Sequence, residues 1–509
     1  MSRAKHLLRS SVLVILFFAL AKLTGLLRAR LVGAAFGTGP EIDAFIAANQ
    51  LPEVFFTVIA GGSLAAAFIP IYAEYLANES ARKSAQLANT VLTLVVLILG
   101  LISAIGAALA PWLTLTLLVP DFSPELQQLT ASIMRIILVQ TTIYGISGVL
   151  SSILNAHQHF ALPALAPLSL DIGYFVGLFL FVPRLGIHGL AWGTVLGGFL
   201  HIAIQVPALV RHRLRIRPSW GIEMRGVREI ARLMLPRIVT LGTIQVADLF
   251  IIRLASGLPT GSTSGYFYGY ALMQLPETLF GTAIALVVFP TLAEQFNDGD
   301  IEGLRRTAAT TLRIIWMLTI PAAVGLVLLG RPIVALLLQG GAFGAASTQL
   351  VSAVLLALSL RVISEATLEL VARLFYAQHD TRTPMFAYLG WLLANVIGAY
   401  LLVGPLGVAG LALSSTIAFT ALAAALFILN QRRLGSLHER GLGLSALRSI
   451  LAGAGMALAI WGASQAVDGV LMRLAIGGAA GVAAYITIRL ALGGRELQAL
   501  MAIVRSKSA

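Results

Sequence analysis

Cysteine is absent from the sequence, which removes disulfides, thiolate nucleophiles and cysteine-ligated metals from consideration. Charge is scarce as well. Asp, Glu, Lys and Arg make up 11% of 509 residues, against about 25% in an ordinary globular domain. Acid is the scarcer sign, 22 residues against 35 basic, for a net charge of +13. No glycine-rich loop ends in Lys-Ser or Lys-Thr, so no ATPase motif is encoded. No Ser/His/Asp arrangement or carboxylate pair is placed for catalysis, and no histidine spacing suits a metal. The chain reads as a non-enzyme that needs neither metal nor cofactor.

What remains is apolar. Hydrophobic residues make up 58% of the chain and the mean hydropathy is +0.89. Runs of about 20 apolar residues recur throughout, each able to cross about 30 Å of hydrocarbon. They are continuous and rich in Leu and Ala rather than alternating, which argues for helices and against a β-barrel. The expected fold is all-α, a polytopic membrane protein with fourteen spans. These lie roughly at 10–36, 43–73, 88–118, 127–154, 161–182, 187–210, 229–256, 266–293, 309–339, 347–376, 385–403, 406–430, 444–466 and 471–492. The first is too long for the apolar part of a signal peptide and lacks a clear small-residue cleavage site, so it reads as a retained helix. Spans 43–73 and 309–339 exceed the bilayer thickness, and Pro70 and Pro321 are candidate bends.

The basic residues orient these spans. One side collects Arg3, Lys5, Arg9, Arg82, Lys83, a cluster at Arg211, Arg213, Arg215, Arg217, Arg225 and Arg228, then Arg305, Arg306 and Arg382. Arg432, Arg433, Arg440, Arg495, Arg505 and Lys507 continue it. The opposite turns hold only Arg184, Arg331 and Arg473. Basic residues mark the cytoplasmic side, so both termini are expected there, as an even span count also requires. The positive charge thus reports orientation in a bilayer, and no nucleic-acid partner is expected.

An internal repeat is also present. LNAHQHFALP (Leu154 to Pro163) aligns with FYAQHDTRTP (Phe375 to Pro384), and GIHGLA (from Gly186) with GVAGLA (from Gly407), both at an offset of 221. FIPIYAE (from Phe68) matches VFPTLAE (from Val288) at 220, and LPEVFF (from Leu51) matches LPETLF (from Leu275) at 224. Each unit holds six spans, an even number, so the halves share one orientation, a parallel repeat found in several transporter folds. The division expected is a six-helix lobe at 1–215, a second at 216–435, and a C-terminal helix pair at 436–509.

Ionisable residues inside spanning helices are costly and therefore mark candidate sites. TGLLRARLVGAAFG places Arg28 about 13 Å before Gly37 by helical rise, near mid-depth. Arg28 either lines a central cavity or forms a structural ion pair. Arg30 points some 200° away, toward snorkelling or a structural pair. RVISEATLELVAR sets Arg361, Glu365, Glu369 and Arg373 on one stripe at four-residue spacing, either self-neutralised or forming a hydrated wall or ion path. Arg135, Asp171, Asp248 and Arg253 are further mid-membrane candidates, each more simply structural. His157, His159 and His379 fall in the two matched turns and read as turn residues.

GLLRARLVGAAFG, DAFIAANQLPEVFF, GGSLAAAFIPIYAEY, LNAHQHFALPALAPL, GYALMQLPETLFGTAIALVVFPTLAE and FYAQHDTRTP resemble the MurJ (MviN) family of lipid II flippases, within the multidrug/oligosaccharidyl-lipid/polysaccharide exporter superfamily. The resemblance covers about residues 10–430. It implies two six-helix lobes around a cationic cavity and a lipid-tail groove on helices thirteen and fourteen. It also implies transport of an undecaprenyl-linked peptidoglycan precursor to the outer leaflet of the cytoplasmic membrane. Arg28 matches the family's first-helix arginine, expected to meet the diphosphate. Elsewhere the chain departs from the pattern. Ala29 replaces the following acid and Ala34 the second arginine. Gly61 replaces the acid of an AEGA motif, Phe56 and Thr57 a basic pair, and Ala271 an eighth-helix arginine.

The candidate substrate-binding set is therefore Arg28, Arg30, Arg253 and Asp248, with Arg237 a further headgroup contact. Lys22, Arg361, Glu365 and Glu369 are the candidate cavity or ion-path residues. Expected partners are a lipid-linked glycan, membrane lipids and cell-wall synthesis enzymes, with an ion gradient or the membrane potential as driving force. A flippase for another polyprenyl-linked glycan, such as an O-antigen or exopolysaccharide unit, and a non-transporting scaffold of the same fold are the alternatives.

Overall fold

The computed structural model describes residues 3–60, 62–211, 216–435 and 441–493, with side chains of the opening helix from Leu20 onward. Gly61, Arg213, Arg215, Arg440, Arg495, Arg505 and Lys507, and the side chains of Arg3, Lys5 and Arg9, lie outside the described residues. Those described form helices and no named strand. The chain divides into two compact units, Met1–Ser264 and Gly265–Ala509.

The first unit holds α1 (Arg3–Phe36), α2 (Pro40–Phe55), α3 (Gly62–Asn78), α4 (Ala81–Ala108), α5 (Pro124–Ala156), α6 (Leu168–Val176), α7 (Ile187–Arg211) and α8 (Arg225–Ser256). Its core includes Leu64, Phe68, Tyr72, Leu87, Val91, Leu99, Val149, Leu154 and Ile230, at most 4% exposed apart from their neighbours on the rim. Glycine sets the closest approach. A Cβ on Gly173 of α6 would lie 2.4 Å from the Gly193 carbonyl of α7, so the two backbones pack without side chains between them. Asp43 ties α2 to the last residues of the unit, accepting backbone N–H bonds from Gly261 at 2.6 Å and Ser264 at 2.7 Å.

The second unit is built from α9 (Ser262–Glu277, its first turn shared with the first unit), α10 (Ala283–Asn297), α11 (Ile301–Leu338), α12 (Ala345–Leu358), α13 (Arg361–Ala377), α14 (Arg382–Leu434), α15 (Leu442–Gln465) and α16 (Gly478–Ala491). The pair α15 and α16 packs on α11 through Met317, Leu329, Met456, Ile460 and Tyr485. The Tyr485 hydroxyl donates to the Met317 carbonyl at 2.7 Å.

Among the described residues, eleven helices are long and apolar enough to cross a membrane, or twelve if α12 and α13, bent by 45°, form one span. The expected count of fourteen is not reproduced as such. One reason is that the spans expected at 385–403 and 406–430 run together as α14, 53 residues long, which breaks only at Gly407. The extra length of the second span is absorbed differently from expectation too. Pro70 sits inside α3, and the interruption is a π-helical turn at Phe56–Ala60, just after Pro52. Proline removes an amide donor, and the ladder widens within the next turn. The same device recurs after Pro276, at Thr278–Thr282. Pro321 and Pro332 lie within α11, which continues as one element.

The repeat is visible in the backbone itself. Gln158 and His379, 221 residues apart, have φ of 59° and 58° and close matching turns. Gly186 and Gly407, at the same offset, both have φ of 56°.

Candidate functional site

A polar cavity in the first unit begins with one face of α1. Thr24 and Arg28 are four residues apart and both reach Asp171 on α6. The Arg28 guanidinium lies 2.9 Å from Asp171 Oδ1, and the Thr24 hydroxyl donates to Oδ2 at 2.5 Å. Asp171 is 4% exposed, so its charge depends on these two partners. The guanidinium also stands over the Tyr174 ring, 4.6 Å from its centroid. Arg28 is not enclosed, however: its side chain is 31% exposed and faces a cavity of about 480 Å³.

Within the first unit, Arg28 has two relations. It is ion-paired, and it lines a cavity. The other walls come from α2 (Asn49, Glu53), α5 (Gln140, Tyr144), α6 (Tyr174) and α7 (His201). Glu53 accepts from Asn49 at 3.1 Å and feels the charge of Arg28. Gln140 Oε1 and Tyr144 OH, one turn apart on α5, are buried without a well-formed hydrogen bond. Glu53 was missed in the sequence, although the LPE triplet common to both repeats was a signal for it.

The remaining candidates lie elsewhere. Lys22 and Arg30 are exposed, and neither lines this cavity, although Arg30 has an interaction of its own. Arg253 donates to the carbonyls of Thr116 and Leu117, capping a helical end and holding α8 to it. Arg135 does the same for the Ala107 carbonyl at 2.9 Å. Asp248 is half-buried and engaged on α8, and Arg237 is exposed.

In the second unit, the four-residue stripe is real. Arg361, 5% exposed, bonds Glu365 at 2.8 Å and the Ser415 hydroxyl at 2.7 Å, beneath the Phe419 ring at 3.9 Å. Arg373 pairs with Glu369. Glu277, the second LPE glutamate, is 4% exposed, accepts from Thr282 at 3.0 Å, and is within electrostatic reach of Glu365 and Glu369. Three carboxylates thus face two guanidiniums. Among the described residues no group of three or more His, Asp or Glu is arranged to hold a metal ion.

Apolar helices that cross a membrane many times, doubled within one chain and holding buried charge, define a polytopic membrane transporter. Comparison with known proteins specifies the family. The sequence model for "Lipid II flippase MurJ" matches residues 32–479. A "Probable lipid II flippase MurJ" of Vibrio cholerae serotype O1 is 30% identical over 428 residues, 81% of this chain and 81% of the relative. A "Lipid II flippase MurJ" of Burkholderia cenocepacia is 27% identical over 416 residues, 80% of this chain and 81% of the relative. The chain belongs to the lipid II flippase MurJ family. Its fold matches a solved "Lipid II flippase MurJ, inward closed conformation" with a TM-score of 0.80 at 22% identity, over 94% of this chain and 98% of that one. An inward-facing multidrug transporter of the MATE family and MOP superfamily follows, with a TM-score of 0.70 at 17% identity, over 83% and 96%.

Proposed function

We propose that the chain is a lipid II flippase, moving undecaprenyl-diphosphate-linked disaccharide-peptide from the cytoplasmic to the outer leaflet of the cell membrane by alternating access. In this reading both termini are cytoplasmic and the work is transport with no covalent step. The observation that carries it is Arg28, a guanidinium inside a spanning helix that opens onto a cavity while a buried carboxylate holds it in place. Arginine has five N–H donors and Asp171 occupies few of them, so the rest are available to a diphosphate. Asp171 lowers the cost of keeping the cation at this depth and aims it. The carboxylates Glu277, Glu365 and Glu369 are the candidate path for a coupling ion, since no nucleotide motor is encoded.

The test is rescue of cells depleted of their own lipid II flippase, with membrane levels of each variant measured in parallel. Wild-type chain should restore growth, Arg28→Ala should not, and Arg28→Lys should restore it in part. A properly inserted wild-type chain that fails to rescue would move the cargo to another polyprenyl-linked glycan. Full rescue by Arg28→Ala would remove Arg28 from cargo binding.

A further inference from the structure

Three basic residues stand on the side away from the basic loops, and two of them converge. Arg331, near the end of α11, and Arg473, which opens the π-helical turn before α16, line one cavity of about 400 Å³ with Gln339, Thr348 and Gly469. Their charge is little neutralised. Arg331 has no ion pair among the described residues, and Arg473 has only the exposed Asp468 at 3.8 Å. Arg473 Nε–H also donates to the Val467 carbonyl at 3.3 Å.

Depth indicates what could lie between them. From Arg313 to Arg331, α11 runs seventeen residues without a charge. That is about 27 Å of helix, close to the roughly 30 Å hydrocarbon core. Arg331 therefore stands at the level of the far headgroups. Below it, the same face of α11 lines an apolar groove of about 560 Å³ against Ile450 and Ala454 of α15. Val324, Leu328, Arg331, Ala335 and Gln339 follow one another at three- and four-residue steps, a single stripe that turns from apolar to polar at Arg331. The family resemblance implies a lipid-tail groove on helices thirteen and fourteen; this groove is instead lined by α11, the start of α13 and α15, with no residue of α16, and its arginine cap is not part of that resemblance.

We propose that the cap binds the phosphate of a membrane lipid whose chain lies in the groove. Guanidiniums suit this ligand because their paired N–H groups match phosphate oxygens. The proposal stands apart from the cargo assignment, since it concerns the far leaflet and not the Arg28 cavity.

Native mass spectrometry of the purified full-length chain tests it, with phosphatidylglycerol, undecaprenyl phosphate and phosphatidylcholine as probes and inorganic phosphate as competitor. Both anionic lipids should be retained over phosphatidylcholine, and the better retained of the two identifies the source. Arg331→Gln and Arg473→Gln should each lower retention about fivefold and together about twenty-five-fold. Arg184→Gln should leave it unchanged, and the double Lys variant should keep most of it. Unchanged retention in the double Gln variant, or no preference over phosphatidylcholine, overturns the proposal. Complete displacement by millimolar inorganic phosphate overturns the assignment to a lipid.

Discussion

Arg28→Ala and Asp171→Asn break one ion pair from opposite ends, and the structure says that their costs differ. Asp171 is 4% exposed, whereas the Arg28 side chain keeps 31% of its surface. Removing the guanidinium strands a buried carboxylate with only the Thr24 hydroxyl at 2.5 Å. Breaking a buried pair from one side costs about 3–5 kcal/mol. Neutralising the carboxylate instead leaves a guanidinium that can turn toward the cavity, at about 1–2 kcal/mol. In the double variant neither charge is stranded, so its loss should fall short of the sum of the two by about 1–3 kcal/mol. Thermal unfolding of the detergent-purified proteins measures all three, and rescue of flippase-depleted cells runs beside it. The double variant should recover folded protein without recovering rescue, while Asp171→Asn keeps much of both. Equal losses from the two single variants with an additive double would refute the buried-pair argument. Rescue by the double variant at the wild-type level would make Arg28 a strut.

Gly193→Val should cost at least about 1–3 kcal/mol by overpacking, because a Cβ there would lie 2.6 Å from the Gly173 carbonyl and 2.8 Å from Gly177 Cα. Gly25→Ala, with nothing within 4 Å, should melt no lower than wild type. Glu365→Gln should lower stability by about 3 kcal/mol, since Arg361 is left buried. Replacing Arg361 and Glu365 together with Met and Leu should cost less than that single change. At the turn after α13, burial alone would raise the Asp380 carboxyl, but hydrogen bonds from Thr383 and Arg433 hold it at about 2 against an ordinary 3.8. A depressed carboxylate stabilises above its unfolded value, so the turn should loosen as pH falls from about 4 through about 2. Hydrogen exchange reads this, and Asp380→Asn should show the looser turn already at neutral pH, with no further change in that window.

The helices were legible in the sequence because hydropathy alone sets the length of a spanning segment. The repeat was legible because its turns depend on a few residues that recur at 221, now seen as matching backbone angles at Gln158 and His379. Contacts between distant residues were not legible. Arg28 and Asp171 each stood out as charges at depth, but which face of α1 meets α6 is set by packing, not by either segment. Arg253 shows the same limit: the sequence left it either a ligand contact or a structural cation, and only the fold shows its donors going to the carbonyls of Thr116 and Leu117. Glu53 and Glu277 were hidden among apolar neighbours, and only the shared LPE triplet connected them.

The duplication also explains why the two units hold charge so differently. At the repeat offset, Arg361, Glu365 and Glu369 of α13 correspond to Gln140, Tyr144 and Gly148 of α5, and Phe419 of α14 corresponds to Gly198 of α7. In the second unit the Phe419 ring and the paired Arg361 fill this position, with the ring 3.9 Å from the guanidinium. In the first unit the same place holds a glycine and neutral side chains, and Gln140, Tyr144 and Gly148 line open space. One backbone thus supports an interior filled by a ring and an ion pair at this position and an open polar one. The difference rests on a few side chains, since a ring at Gly198 would have to displace Ile143 and Gln140, whose atoms lie 3.1 Å and 3.6 Å from its Cβ position. Gly198→Phe should therefore close the cavity around Arg28 while leaving the Arg28–Asp171 pair, and loss of rescue with an intact pair would place the function in the open space rather than in the charge alone.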